Sequence, residues 1–177
     1  TPIGEVEDYK VATAKIGNFV WWDYDNDGIQ DEAGTAGING VTVQLVWAGI
    51  DGNLATAGDN VTFTDVTIAD NGTNGQYAFC GLVPGTHSLS IPTAPANFVP
   101  TQLNQGGDDE TDADNPAGIT IVIPALPGLV TGENGTGDAP GTDFPDNQDD
   151  LTYDFGYVAY DYGDLPNTYG TTIANNG

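Results

Sequence analysis

The chain has 177 residues, enough for one full-sized β-sandwich with some additional material and short for two domains. Its 26 Asp and Glu face only Lys10 and Lys15, a formal net charge of −24 that excludes nucleic acid and anionic lipid as natural partners. The 25 Gly and 11 Pro are scattered evenly enough to leave no window for an uninterrupted amphipathic helix, so an all-β fold is expected, while a hydrophobic content of 38% in short runs suffices for a buried core.

Taken in chain order, the first strand expected is Ile16 to Trp22, whose alternation puts Trp21 and Trp22 on opposite faces. That leaves room for one of them in an exposed aromatic platform, although packing in the core or between domains is the favoured role. Val41, Val43, Leu45 and Trp47 share the inward face of a second strand, and Val61 to Ile68 is expected as a single third strand. The run Asp70-Asn71-Gly72-Thr73-Asn74-Gly75 is a hairpin signal, because Asn-Gly readily adopts positive φ. Gln76 to Cys80 follows, with Cys80 expected as a buried, inert thiol.

His87, Leu89 and Ile91 alternate inward, with His87 at the edge of the core. Asn97 to Leu103 is a further strand, Ile119, Ile121 and Ile123 line another, and Leu151, Tyr153, Phe155 and Tyr157 line the last. Seven or eight strands of this kind suit an immunoglobulin-like sandwich. Gln105 to Gly118 and Ala125 to Asp150 are long loops, a class that is usually functional or mobile. No apolar run approaches the ~20 residues of a membrane span, and no direct membrane insertion is expected. Neither His87 nor Cys80 has a partner in sequence that would make a nucleophile with its base, so no enzyme is expected.

The sharpest motif is Asp23-Tyr24-Asp25-Asn26-Asp27-Gly28-Ile29-Gln30-Asp31-Glu32, which has the D-x-D-x-D-G opening of a calcium loop. Acids at the first, third and fifth positions wrap oxygens round a hard cation, glycine at the sixth permits the sharp turn, and the seventh offers its carbonyl. Asp23, Asp25, Asp27 and the Ile29 carbonyl are the expected Ca2+ ligands. The twelfth position is Gly34 where a bidentate Glu would stand, so closure falls to Asp31, Glu32 or another loop. A second cluster, Asp108, Asp109, Glu110, Asp112 and Asp114, is a looser candidate for a second calcium, its competing reading being a disordered acidic loop. A third, Asp143, Asp146, Asn147, Asp149 and Asp150, is weaker still.

Several of these segments together resemble a known family. Ile16-Gly17-Asn18-Phe19-Val20-Trp21, the acidic loop through Glu32, Gly37-Ile38-Asn39-Gly40-Val41-Thr42-Val43, Gly75-Gln76-Tyr77-Ala78-Phe79, Leu82-Val83-Pro84-Gly85 and Asp154-Phe155-Gly156-Tyr157 follow the order of an SdrD-type B domain, a Cna B-like fold. The resemblance spans about residues 15 to 158 and implies a calcium-stiffened β-sandwich repeated in the stalks of bacterial surface adhesins. The ends resemble pieces of another surface module, the GEVED module: Gly4-Glu5-Val6-Glu7-Asp8-Tyr9 its close, and Asp161-Tyr162-Gly163-Asp164-Leu165-Pro166 its opening. The organisation expected is a stub over 1–14, the sandwich over 15–159 and a second stub over 160–177. Expected partners are neighbouring modules or identical subunits, joined head to tail if the stubs add as strands. An extracellular, cell-surface location follows from the same resemblance. The alternative function is a carbohydrate- or protein-binding adhesin module using exposed aromatic residues.

Overall fold

Period-two alternation is realised as strands and no helix among the residues described, which are 14–32, 36–106, 110–124 and 149–160 of this computed structural model. In chain order the strands are β1 (Ala14–Trp22), β2 (Thr42–Trp47), β3 (Val61–Val66), β4 (Ile68–Asp70), β5 (Thr73–Leu82), β6 (Gly85–Ser90), β7 (Phe98–Pro100), β8 (Ile119–Ile123) and β9 (Asp149–Ala159). They make a sandwich of a five-stranded sheet, ordered β4-β5-β1-β9-β7, and a four-stranded sheet, ordered β3-β2-β6-β8. Every pairing is antiparallel except β1 with β9, which lie parallel at the middle of the larger sheet. The all-β sandwich expected from the alternation is therefore the fold observed.

The inward rows meet as expected. Ile16 and Val20 of β1, Val43 and Leu45 of β2, Leu89 of β6, Ile121 of β8 and Phe155 and Tyr157 of β9 are almost fully buried in one core between the sheets. Each such side chain contributes roughly 1.5–3 kcal/mol of burial. Tyr77 sends its phenol across this core to donate to the Tyr153 carbonyl at 2.6 Å, so the one polar atom of its ring is satisfied.

Three local expectations are corrected. Val61 to Ile68 is not one strand: β3 belongs to the smaller sheet and β4 to the larger, and the chain changes sheets at Thr67. Buried Thr67 makes that corner by donating its hydroxyl to the Ile38 carbonyl (2.6 Å) and its N–H to the Val41 carbonyl (2.9 Å), and by accepting from the N–H groups of Gly40 and Val41. Cys80 is exposed, because the register that turns Phe79 into the core turns its neighbour out. Asn97 to Leu103 shortens to β7, after which Thr101 and Gln102 leave the sheet to hold the Asp23–Glu32 loop. The hairpin signal, by contrast, is realised as read: Asn71 (φ 47°) and Gly72 (φ 89°) are both left-handed between paired Asp70 and Thr73, the geometry of a type I′ turn.

Part of the outer face of the five-stranded sheet, over β1 and β9, is also covered. Phe19 and Trp21, on the face of β1 opposite Ile16 and Val20, form a second small core with Ala113 and part-buried Leu103. Gly156 is required beneath it, since a Cβ there would stand 2.6 Å from Thr101 Cγ2 and 2.8 Å from Trp21 Cζ2. This outer core is what positions the acidic loops.

His87, the only histidine in the chain, is 1% exposed, with Nδ1 3.1 Å from the Gly85 carbonyl. Burial pushes its pKa below the ordinary 6.5, and the contact with the Gly85 carbonyl offsets part of that. The folded state then binds fewer protons than the unfolded one, so this contribution is complete above pH about 6.5 and is lost as pH falls toward the folded-state pKa. Urea unfolding at about pH 7.5 and about pH 5.5 should show a loss of stability on acidification that is smaller in His87→Gln.

Candidate metal centre

The Asp23–Glu32 loop leaves the end of β1 at the edge of the outer core. Asp23 is wholly buried and folds the loop round itself: Oδ1 accepts the Asn26 N–H, and Oδ2 accepts the Gly28 N–H at 2.9 Å and the Thr101 hydroxyl. Asn26 (φ 60°) and Gly28 (φ 79°) take the left-handed conformations that close the turn. Glycine is needed at 28 on a second count, because a Cβ there would lie 2.3 Å from the Gln102 carbonyl oxygen. Asp27 accepts the Ile29 N–H at 2.8 Å, and Glu32 Oε1 accepts the Tyr24 N–H at 2.6 Å.

These local bonds draw the carboxylates together. Asp23, Asp25 and Asp27 each present an oxygen within 4.8 Å of the others, and so do Asp25, Asp31 and Glu32, so the two groups share Asp25. Glu32 Oε2 is buried with no donor on it. Partial desolvation, then Asp27 and Asp23, hold the Asp25 pKa above the usual aspartate value. Burial raises Glu32 as well, the Tyr24 N–H working against it and Asp23 and Asp31 with it. Crowded carboxylates with an oxygen turned inward suit a hard cation, which supplies the charge their own environment lacks. The Ile29 carbonyl accepts the Asp31 N–H at 2.9 Å and keeps a second lone pair for a metal.

The segment 110–114 docks on this loop. Ile29 and Asp112 form an antiparallel bridge, Gln30 N–H donates to the Thr111 carbonyl (2.6 Å), and Ala113 N–H donates to the Gly28 carbonyl (3.1 Å). Two clusters far apart in sequence thus become neighbours over the outer core. Of the expected ligands, Asp23, Asp25, Asp27, Asp31 and Glu32 converge, while Glu110, Asp112 and Asp114 lie beside them on the docked segment. Asp108, Asp109 and Gly34 lie outside the described residues, as do both ends of the chain and most of the third cluster, apart from Asp149 and Asp150 in β9.

Sequence reasoning missed Thr101, which carries no motif, and Asp154. The latter sits between Tyr153 and Phe155, so alternation alone places it on the side away from the main core. That side is buried by the docked segment: Asp154 is 0% exposed and its N–H donates to Asp114 Oδ2 at 3.0 Å.

The aromatic platform is reduced by the same packing. Trp21 is buried, and Trp22 packs its ring against Tyr24 (4.7 Å between centroids) and edge-on against Phe98 (5.4 Å).

Comparison with known proteins matches residues 14–157 to the profile of the SdrD B-like domain. Serine-aspartate repeat-containing protein D of Staphylococcus aureus (strain Newman) is 35% identical over 115 residues, which are 65% of this chain and 8% of that protein. Serine-aspartate repeat-containing protein C of S. aureus (strain N315) is 39% identical over 99 residues, 56% of this chain and 9% of that protein. The chain therefore spans less than a tenth of the length of these relatives. Among solved structures, the full-length major pilin SpaD from Corynebacterium diphtheriae aligns with 86% of this chain and 32% of its own, at a TM-score of 0.43 and 14% identity.

Proposed function

Since the chain belongs to the SdrD B-like domain family, we propose that it is a calcium-stabilised structural module of an extracellular bacterial surface protein, one segment of a stalk that holds other parts away from the cell. The observation that carries this reading is the pair of carboxylate groups sharing Asp25, backed by the buried, donorless Glu32 Oε2. Asp23, Asp25, Asp27, Asp31 and Glu32, with the Ile29 carbonyl, would hold the ion. Calcium there neutralises the local repulsion and ties the loop and its docked partner to the sheet, which stiffens one end of the sandwich. Extracellular calcium modules commonly bind near 10⁻⁴ to 10⁻³ M, a range that ambient extracellular calcium fills.

The organisation into 1–14, 15–159 and 160–177, the GEVED-like ends and head-to-tail joining to neighbouring modules or identical subunits belong to the same proposal. They rest on sequence resemblance alone. The aromatic-adhesin alternative loses its main support with the burial of Trp21 and the packing of Trp22.

Isothermal titration with calcium tests the site directly. The wild-type chain is expected to bind saturably at or below millimolar concentration, and Asp25→Ala with Asp27→Ala to lose that binding event. Failure of the wild type to saturate at any millimolar calcium concentration would refute the first-loop site.

A further inference from the structure

We propose that the open side of the sandwich, between the edges of β3 and β5, is an acceptor groove for an added strand, and that its occupant is segment 9–13 of a second copy of the chain. This rests on the head-to-tail reading of the ends, for which it names the joint, and is independent of the calcium site.

The groove follows from incomplete pairing. Among the described residues β3 pairs with β2 alone, so its other edge is open along the strand. β4 meets β5 only between Gln76 and Thr73, and residues 78–82 of β5 run past its end. Val61 and Phe63 stand opposite Trp47 and Leu45 in register and so share their inward face. Leu45 is fully buried, yet Val61 is 39% and Phe63 41% exposed, because none of the described strands closes the sandwich over them. Val83 is exposed on the facing wall, across a gap of about 480 Å³ that Asp65 spans at one end by accepting the Ala78 N–H at 3.0 Å. An unpaired edge beside apolar inward side chains left to water is what strand addition repairs.

Charge selects the occupant. Asp65 is the one acid lining the groove, in a chain with 26 Asp and Glu, so an acidic strand is a poor fit for this apolar space. Of the residues that precede β1, Glu5, Glu7 and Asp8 make 1–8 acidic. Tyr9-Lys10-Val11-Ala12-Thr13 has no acid and carries Lys10, one of the chain's two cations, as a partner for Asp65. Tyr9, Val11 and Thr13 alternate with Lys10 and Ala12, a strand-favouring pattern whose Tyr9 and Val11 would fill the space beside Phe63 and Val61. Extended, these five residues cover about 17 Å, close to the roughly 20 Å of the β3 edge.

Reach makes the occupant a second copy. Ala14 pairs with Leu82 on the side of β5 away from the groove, so a chain leaving Ala14 must clear two strand spacings, about 9.6 Å, before it enters. Val11, three residues upstream, reaches at most about 11 Å, which leaves no length to run along β3. A copy's own segment 9–13 cannot fill its own groove, whereas that of another copy can. The contact is heterologous, donor on one copy and acceptor on the next, so it propagates as an open row of copies.

The test is assembly of the whole chain in calcium, read by sedimentation velocity and by disulfide trapping. Cys80 lines the groove, is exposed and is the only cysteine. On mild oxidation Val11→Cys should give a ladder of covalent oligomers linked between position 11 of one chain and Cys80 of the next. Ile50→Cys, 93% exposed and outside the groove, should not. Phe63→Glu spoils the acceptor, and Tyr9→Asp with Val11→Asp spoils the donor. Each should weaken association by at least about tenfold, while a mixture of the two should form a dimer of one of each and nothing longer. Val83→Glu, on the facing wall, stands in if the Phe63→Glu chain folds poorly. Oligomers that persist in both variants, without the link to Cys80, would overturn the groove and leave head-to-tail joining by other surfaces standing. A link between position 11 and Cys80 within one chain would overturn the second copy as occupant. A chain monomeric at every concentration would overturn this joint together with the joining of identical subunits, and leave the calcium site untouched.

Discussion

Trp21→Ala is expected to destabilise the chain by about 3–5 kcal/mol, the range for truncating a large buried aromatic, and to weaken calcium binding at the Asp23–Glu32 loop at the same time. The indole is 0% exposed, stacks on Phe19 with centroids 6.3 Å apart and planes 7° from parallel, and presses on the space left by Gly156. Ala113 and Leu103 rest on it from above. Ala113 in turn holds Gly28 and Asn104 through its N–H and carbonyl. Deleting the indole removes the floor under both docked segments, so the loss should appear twice: in urea unfolding, and as a higher calcium concentration at half-saturation. Trp21→Phe, which keeps an aromatic floor, should cost less on both counts. A loss below about 1 kcal/mol for Trp21→Ala, with calcium affinity unchanged, would show that the loops are held by other means.

The inner half of the fold is legible because its information is local. Val41, Val43, Leu45 and Trp47 announce a half-buried strand within seven residues, and Asn71-Gly72 announces the turn it makes. The outer half is not, because Phe19 and Trp21 are covered by residues more than eighty positions away, and nothing near β1 says so. A shorter but still non-local separation, 40 positions to Asp114, hid Asp154: alternation reads it as the solvent side of β9, and the 110–114 segment helps to convert that side into an interior. Thr67 shows a third kind of opacity. A threonine amid Val61 to Ile68 reads as one more strand residue, and its role as a corner emerges only from bonds to Ile38 and Val41.

The candidate site divides along the same line. Asp23, Asp25, Asp27 and Gly28 are visible as a spacing, since a calcium loop is a local wrapping of the chain. Closure by Asp31 and Glu32 is a matter of geometry: the loop bends back far enough for Glu32 to accept the Tyr24 N–H and stand with Asp25. Docking on the second acidic segment could not be read at all.

Calcium stabilisation is the centre of the account, and thermal unfolding in calcium and then in excess EGTA tests it most directly. An ion bound only by the folded state adds RT ln(1 + [Ca]/Kd), about 2.7 kcal/mol at a hundred times Kd. For a chain of this size that is a rise in midpoint of roughly 5–10 °C. The account predicts such a rise for wild type and a markedly smaller one for Asp25→Ala with Asp27→Ala. Equal midpoints in calcium and in EGTA would contradict it, leaving the clustered carboxylates as solvated surface and the stalk reading without its metal.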